Sequence, residues 1–328
     1  MPAFPSVIKS SRVAAALLLS LCAAAAQAQA QTYPAKPIKL IVPYAAGQGT
    51  DVAGRYVAER IAREIGGNII IENRAGAGGN IGTQIAAKAP ADGYTLLMGT
   101  NGTHAAAGFL YDNPGFDAEA DFEPIALTGV LPLAIVTRPD NPVDDVQKLI
   151  AAARAKPNAI NVAVTTTTSR SVFELFRRNA NAPLFPVPYK GSAQAITDLI
   201  GGQVDYMMDT VASSSGQIAG GTLKPLAISS LAGSRLLPGV KSVAEQGVAG
   251  FEIVGWNALY APKGTPPEIV RQLAEAATRV MGQAEVKEKL LQIGLDPRTS
   301  SGEPLVKFLR AEREKWGQVI RSANLKVE

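Results

Sequence analysis

The sequence predicts an α/β fold built as two lobes, and three observations support this prediction. Short runs of β-branched residues alternate with segments of helical periodicity, which is typical of parallel βαβ units. The alternation comes in two sets, with strand-like stretches at 131–137 and 251–261 that carry the chain out to a second lobe and back. The chain has 328 residues, and this length also favours more than one lobe.

The first set holds three strand–helix units. Its strands are predicted at 38–42, 68–72 and 95–99, and its helices at 52–65, 81–89 and after Thr103. Ligands of parallel sheets bind at the carboxyl ends of strands, on the loops that lead into helices. We therefore expect a site on the loops that follow these three strands.

The second set and the end of the chain complete the prediction. Helices are expected at 143–156, 170–179 and 193–200, with strands at 159–164, 183–188, 204–208 and 225–229. Helices near 267–281, 284–293 and 304–322 pack back on the first lobe. Two crossings make that lobe discontinuous, so we assign 31–130 plus 257–328 to lobe 1 and 131–256 to lobe 2.

Residues 1–30 have the pattern of a cleavable signal peptide. Lys9 and Arg12 precede the apolar run 13–26, and Ala-Gln-Ala at 26–28 resembles a cleavage site. The run is too short for a membrane span, and no later stretch reaches the roughly 20 apolar residues that a span needs. Cys22 is the only cysteine and would leave with this segment, so the mature chain would form no disulfide. We predict an exported protein that begins near residue 29 or 31.

The charge of the chain argues against nucleic acid as a partner. The formal net charge is +4, and it falls to +2 once Lys9 and Arg12 leave, because no acidic residue lies in the first thirty. Basic residues are scattered, and no tract combines a Lys/Arg cluster with the aromatic residues that bind single strands.

Two glycine-rich turns follow the first two strands. The turn PYAAGQGTD (43–51) lacks the Lys-Ser/Thr pair of a phosphate loop, and its Asp51 would repel phosphate. In GAGGNIG (76–82) the third glycine comes one residue too late for a dinucleotide fingerprint. Both turns still offer backbone N–H groups at helix starts, which suit a carboxylate. We predict a carboxylate cradle without a cofactor; the alternative is tight turning alone, with Asp51 as an N-cap acceptor.

The residue inventory disfavours an enzyme. His104 is the only histidine, no G-x-S-x-G elbow occurs, and the serine run 213–215 has no strand-elbow context. One histidine without a mature cysteine also disfavours a transition-metal site. We predict no catalytic residue and no metal, and we expect His104 to support the turn or helix start on which it lies.

Four blocks of the chain together resemble a known family. The blocks are YPAKPIKLIVPYAAGQGTDVAGRYVAERI, NIIIENRAGAGGNIGTQIAAKAPADGYTLLMGTNGTHA, VPYKGSAQAITDLIGGQVDYMMD and GWNALYAPKGTPPEIV. They resemble the Bug-type solute-binding receptors of tripartite tricarboxylate transporters, and the likeness covers essentially all of the mature chain. The resemblance implies a type II periplasmic binding protein, or Venus flytrap, with two α/β lobes joined by two crossing strands.

The resemblance also implies ligand contacts on both walls of a cleft. The first and third loops, 43–51 and 99–104, would furnish backbone and hydroxyl donors, and lobe 2 would contribute a helix start after 188 and the acidic residue that closes a strand. The predicted ligand-binding residues are Tyr44, Ala46, Gly47, Gln48, Gly49, Thr50, Asp51, Thr100, Asn101, Gly102, Thr103, Thr165, Thr166, Thr167, Ser169, Arg170, Pro188, Tyr189, Lys190 and Asp209.

The sequence departs from the family pattern at two places. Gln48 stands between two glycines that are usually adjacent, so an amide side chain enters or narrows the cleft. The usual glycine-rich turn of lobe 2 is replaced by VTTTTSRSVFELF, with Arg170 at the position of a histidine. Arg170 either pairs with a second carboxyl of the ligand or faces solvent beside a helix cap, and both alternatives stay open.

The function implied is that of a periplasmic receptor. It would be a monomer that captures a small carboxylate, such as a di- or tricarboxylate, an acidic amino acid or an aromatic acid, and delivers it to a membrane permease. A sensor for a signalling partner is the alternative, and a periplasmic hydrolase is a weaker one. Backbone donors bind a carboxylate whatever it is attached to, so the sequence does not identify the ligand.

Overall fold

A computed structural model describes residues 33–322 and residue 326 of the chain. The signal peptide predicted at 1–30 lies outside the described residues. From Lys36 onward the chain forms one compact unit. Over 33–322, no helix has both the length and the apolar character needed to cross a bilayer.

The strands of the described residues belong to two sheets. In chain order they are β1 (Ile38–Val42), β2 (Ile69–Asn73), β3 (Thr95–Thr100), β4 (Phe122–Leu131), β5 (Leu133–Thr137), β6 (Asn161–Val164), β7 (Phe185–Pro188), β8 (Tyr206–Thr210), β9 (Lys224–Ile228) and β10 (Gly255–Pro262).

Helices cover and connect the sheets. In chain order they are α1 (Gly49–Glu64), α2 (Asn80–Ala87), α3 (Ala107–Leu110), α4 (Val146–Ala155), α5 (Thr167–Asn179), α6 (Ser192–Ile200), α7 (Val211–Ala219), α8 (Pro267–Gly282), α9 (Ala284–Gln292) and α10 (Gly302–Ser322). A 3₁₀ turn, Ala77–Gly79, precedes α2, and a π-helical turn, Gly102–Ala106, leads into α3.

The first sheet has the strand order β2-β1-β3-β10-β4. β1 is parallel to β2 and β3, whereas β10 runs antiparallel to both β3 and β4. All eight residues of β10 are buried, because strands flank it on both sides. The loops after β1 and β3 therefore leave the same edge of the sheet.

The second sheet has the order β7-β6-β8-β5-β9. β6 is parallel to β7 and β8, and β5 is antiparallel to β8 and β9. Its buried cluster includes Val136, Ala163, Leu199 and Met207. The mixed sheet with helices packed against it forms a second α/β lobe.

The chain passes between the sheets twice. Pro132 is the single residue between the end of β4 and the start of β5. The return runs through 229–254, and β10 then begins at Gly255, which pairs with Leu131. Both passages therefore lie side by side, and Ser229 links them, since its carbonyl accepts from Ile253 N–H at 3.1 Å and its hydroxyl accepts from Leu133 N–H at 3.0 Å.

The observed elements agree with most of those predicted, usually within three residues. Two elements are not predicted, β4 and α7. β4 contains Pro124 and a glycine bulge at Gly129, with φ of 146°, both of which weaken a strand pattern. α7 has the serine- and glycine-rich sequence VASSSGQIA, whose intrinsic helix propensity is low.

Candidate functional site

A small cavity lies where the two lobes meet. Its volume is about 20 Å³, which is enough for about one water molecule. The residues that line it come from the ends of β3, β4 and β8, the starts of α1 and α5, and the start of β10. They are Tyr44, Gln48, Gly49, Thr50, Thr100, Asn101, Leu131, Thr166, Thr168, Asp209, Thr210, Gly255, Trp256 and Asn257.

Three helices begin at this cavity. α1 starts at Gly49, α5 starts after its N-cap Thr166, and α7 starts after its N-cap Thr210. The first N–H groups of a helix have no partner within the helix, and the helix dipole adds a partial positive charge there. An anion held between the lobes would therefore be stabilised from both sides without a Lys or Arg side chain.

Three carboxamide side chains reach the cavity with unused hydrogen-bonding capacity. Gln48, Asn101 and Asn257 are all at most 2% exposed. Within residues 33–322, Gln48 Oε1, Asn101 Nδ2 and Asn257 Nδ2 have no hydrogen-bond partner. Buried polar atoms are rarely left unsatisfied, so these three atoms have bonding capacity for a water or another polar group in the cavity.

Hydrogen bonds across the cavity hold the lobes in contact. The N–H of Gly49 donates to Ser213 Oγ at 3.2 Å, and Gln48 Nε2 donates to the carbonyl of Thr165 at 3.4 Å. Thr168 Oγ1 donates to Asn101 Oδ1 at 3.2 Å. The polar groups of lobe 1 at the cavity, on Gln48, Gly49 and Asn101, thus also form the contacts with lobe 2.

Asp209 is the one charged side chain among the described residues that line the cavity. Its carboxylate accepts from Ser192 Oγ at 2.5 Å and from the N–H of Thr210 at 2.7 Å. Burial raises the pKa of Asp209 above its usual value, although these hydrogen bonds act in the opposite direction. The protonation state of this carboxyl group sets whether the cavity wall carries a negative charge. Its oxygen atoms can accept hydrogen bonds.

Asp51 stabilises the first glycine turn and does not line the cavity. Its carboxylate accepts from the N–H of Gly47 at 2.9 Å, from Arg55 Nε at 3.0 Å and from Asn73 Nδ2 at 2.8 Å. Burial acts to raise the pKa of Asp51, but the hydrogen bonds from these three donors outweigh it and hold the pKa below its usual value. The turn between β1 and α1 is therefore tied to the end of β2 through Asn73.

The third loop is ordered by its own hydroxyl groups. Tyr44 OH and Thr100 Oγ1 lie 2.8 Å apart, and Thr100 N–H donates to Thr103 Oγ1 at 3.1 Å. Asn101 Oδ1 also accepts from the N–H of Trp256 at 3.2 Å, which fixes the amide group toward the cavity. His104 is buried at the end of this turn and does not reach the cavity.

Comparison with known proteins gives the family of the chain. The family model for the tripartite tricarboxylate transporter family receptor matches residues 53–325. The chain belongs to this receptor family. Three solved structures are similar over 88–90% of this chain and over their own full length. The R. palustris protein Rpa4515 with adipate has 33% sequence identity and a TM-score of 0.86. The periplasmic binding protein BugD has 32% identity and a TM-score of 0.84, and MatC from Rhodopseudomonas palustris with bound malate has 30% identity and a TM-score of 0.80.

These similarities confirm the predicted family and the predicted two-lobed binding-protein fold. In this family member, eight of the predicted ligand-binding residues line the cavity: Tyr44, Gln48, Gly49, Thr50, Thr100, Asn101, Thr166 and Asp209. The structure therefore brings loops from both lobes to one place.

The other predicted residues lie outside the cavity lining, and most have another contact. Ser169 forms a capping box at the start of α5 with Thr166, which does line the cavity, and Thr167 Oγ1 donates to the carbonyl of Gly78 at 2.8 Å. Arg170 pairs with Glu174 at 2.9 Å. The remaining residues away from the lining are Ala46, Gly47, Asp51, Gly102, Thr103, Thr165, Pro188, Tyr189 and Lys190.

Pro188 is the last residue of β7, an edge strand of the second sheet, and Tyr189 and Lys190 follow it. Tyr189 OH donates to Asp198 at 2.8 Å, while Pro188 and Lys190 are exposed. All three residues lie outside the lining of the cavity, to which the second sheet contributes Asp209 and Thr210 at the end of β8.

Six lining residues of this receptor are not among those predicted: Leu131, Thr168, Thr210, Gly255, Trp256 and Asn257. Two features of the sequence point to some of these residues. Thr168 belongs to the hydroxyl run 165–169, and the block GWNALYAPKGTPPEIV contains Trp256 and Asn257.

Proposed function

We propose that this chain is a periplasmic solute-binding receptor that captures a small carboxylate between its two lobes. The observation that carries the proposal is the cavity between the lobes, at which three helix N-termini and three partly unpaired carboxamides meet. Adipate in one similar structure and malate in another support a carboxylate of this size. The proposal includes delivery to a tripartite tricarboxylate-type permease, in agreement with the family to which the chain belongs.

The carboxylate would bind first to lobe 1. The N–H groups at the start of α1 and the Nδ2 groups of Asn101 and Asn257 supply donors on that side, while the unpaired Oε1 of Gln48 can accept from a ligand hydroxyl or ammonium. Hydrogen bonds from neutral donors at a helix start stabilise a carboxylate in a buried site without a paired cation. A cavity of about 20 Å³ does not hold a dicarboxylate, so the two walls must separate to admit it.

Lobe 2 would then close over the bound carboxylate through α5 and α7. Thr166, Thr168 and Thr210 lie on that wall. A ligand that contacts both lobes binds the closed form more tightly than the open form and so shifts the population toward closure. We take 31–130 plus 257–328 as lobe 1 and 131–256 as lobe 2, and we propose that the receptor acts as a monomer. No covalent step is proposed.

A thermal-shift screen of the mature protein tests the proposal. The panel would hold adipate, malate, citrate, glutamate and benzoate. A true ligand at 100 times its dissociation constant stabilises the folded state by roughly 2.7 kcal/mol, which raises the melting temperature by several degrees. The matched control is Gly49→Val, whose side chain would overlap Thr210 across the cavity. If no carboxylate raises the melting temperature, or if the variant responds as the wild type does, the proposed site is wrong.

Uptake tests the delivery step separately. Cells that lack the gene should fail to accumulate the radiolabelled carboxylate identified by the screen, and the gene supplied on a plasmid should restore uptake. Binding together with unchanged uptake would separate capture from transport and refute the permease partner.

A further inference from the structure

A second cavity lies in lobe 1, between β4, β10 and α10. Its volume is about 240 Å³, and its walls include His104, Phe122, Tyr260, Leu309, Arg310 and Arg313. None of these residues lines the cavity between the lobes. The proposed function leaves this second cavity without a role.

Two buried polar atoms in its wall lack partners. The His104 side chain is 6% exposed and that of Tyr260 is 1% exposed. The two rings are stacked, with centroids 4.0 Å apart and an interplanar angle of 20°. Within the described part of the chain, His104 Nε2 and Tyr260 OH form no hydrogen bond. Atoms of this kind are costly to bury unless something satisfies them.

The two unpartnered groups, His104 and Tyr260, are uncharged. Burial, together with the nearby positive charge of Arg313, lowers the pKa of His104 to about 3, so the imidazole is neutral at physiological pH. Burial also raises the pKa of Tyr260 well above its usual value. The floor of the cavity is thus built from aromatic residues, and the two unpartnered polar groups buried in it are neutral.

Positive charge dominates the rim. Arg310, Arg313 and Lys263 face two carboxylates, Glu119 and Glu123, so the rim carries one net positive charge. Arg313 lies 3.0 Å and Arg310 lies 3.9 Å from Glu119, whose side chain is 64% exposed. Exposed ion pairs of this kind contribute little stability, and their guanidinium groups can turn to an incoming anion at small cost.

We propose that this cavity is a second binding site, specific for a small aromatic carboxylate. The ring lies against His104, Tyr260 and Phe122, and the carboxylate faces Arg310 and Arg313. The volume is slightly below the roughly 300–1,000 Å³ of sites for drug-sized ligands, which suits a single ring with one substituent. Arg is the side chain best shaped to bind a carboxylate through two parallel hydrogen bonds.

The site is close in sequence to the cavity between the lobes. His104 follows directly on the turn that carries Thr100 and Asn101, and its Nδ1 lies 2.9 Å from Thr103 Oγ1. A molecule bound between the lobes could therefore disturb the His104 ring indirectly, and the experiment must distinguish the two sites.

NMR of the histidine ring tests the proposal, because His104 is the only histidine in the chain. The mature protein is produced without a polyhistidine tag and with ¹⁵N-labelled histidine, and it is titrated with benzoate. We expect the ring signals to shift and to saturate. Gly49→Val, which obstructs the cavity between the lobes, should give the same titration. No shift at millimolar benzoate, or a shift lost in Gly49→Val, would overturn the proposal.

Charge at the rim is tested with a second variant and a matched probe. In Arg310→Gln with Arg313→Gln, the dissociation constant for benzoate should rise about tenfold, since charged hydrogen bonds to the carboxylate are lost. Benzyl alcohol has the same ring without the charge, so its titration should be equal in both proteins. Equal benzoate affinity in the two proteins would refute the assigned orientation and the preference for a carboxylate.

Discussion

Replacement of Gly49 by alanine should weaken ligand binding without weakening the fold. Gly49 is the first residue of α1, and its N–H contacts Ser213 of lobe 2. A Cβ atom at this position would lie 3.0 Å from Cβ and 3.2 Å from Cγ2 of Thr210, with the Thr210 hydroxyl closer still. Rotation of Thr210 moves the hydroxyl but not its Cβ atom. The overlap therefore exists only when the lobes are closed.

The size of the effect follows from the cost of overpacking. One extra methyl group in a well-packed contact costs about 1–3 kcal/mol. Because this cost falls on the closed form alone, the dissociation constant should rise about 5- to 150-fold. Isothermal titration calorimetry with the carboxylate found in the screen measures this change. Thr210→Gly in the same chain removes the atoms that overlap and should restore most of the affinity.

Gly47→Ala is the contrasting variant. An added Cβ atom at Gly47 meets no atom within 4 Å, but the residue has φ of 84°, a left-handed conformation that costs an L-residue about 1–2 kcal/mol. That strain is local to the turn and is equal in open and closed forms, so it should lower the melting temperature and leave the affinity unchanged. If Gly49→Ala binds within twofold of the wild type, or if both variants lose affinity equally, the assignment of Gly49 to the closing surface is wrong.

Three further variants test other parts of the site. Asn101→Asp places a carboxylate where an amide donor faces the ligand, so affinity measured by calorimetry should fall at least about tenfold, and an unchanged affinity would remove Asn101 from the contacts. Asp209→Asn should tighten binding of a dicarboxylate without an amino group, because a negative charge is removed from the cavity wall. It should weaken binding of an acidic amino acid, because the ligand ammonium loses its partner. The same change in affinity for both ligands would contradict this role. Asp51→Ala should destabilise the fold by about 1–3 kcal/mol at pH 7. Because the pKa of Asp51 is lowered in the folded state, its stabilisation is complete above the unfolded pKa and is lost as the pH falls through the folded pKa. The difference in melting temperature between the variant and the wild type should therefore shrink in acid. A difference that stays constant with pH would refute the charge effect.

Most of the fold could be predicted because local patterns agree with the tertiary structure. In α1, Ala53, Val57 and Ile61 are buried at helical spacing, so periodicity alone indicates both the helix and its buried face. The two missed elements are those that depend on their surroundings. β4 keeps its place although it contains a proline and a bulge, because it pairs with β10 over eight positions. α7 forms from residues with low helix propensity, because its start packs at the junction of the lobes.

Local pattern predicted the part of the site on the loops after β1 and β3, and the family resemblance predicted Asp209 of lobe 2. The first and third loops meet because β1 and β3 are parallel neighbours, which the βαβ pattern indicates. The contribution of β10 could not be foreseen from local pattern. Asn257 lies opposite Thr100 only because a strand more than 150 residues later inserts antiparallel beside β3. Lys190 is exposed in the loop after β7 and does not line the cavity, and its exposure depends on tertiary packing that local pattern does not indicate.

The two passages between the lobes restrict how the lobes can move relative to each other, and so how ligand binding can be detected by a partner. Pro132 is the only residue between β4 and β5, and the return passage ends where β10 begins opposite Leu131, so the two passages lie side by side between the lobes. If the lobes open and close as proposed, this arrangement favours rotation about the two passages over sliding. Ligand binding in the cavity would then change the angle between the lobes. A partner that contacts only the outer surfaces of the lobes could recognise that angle without contacting the ligand.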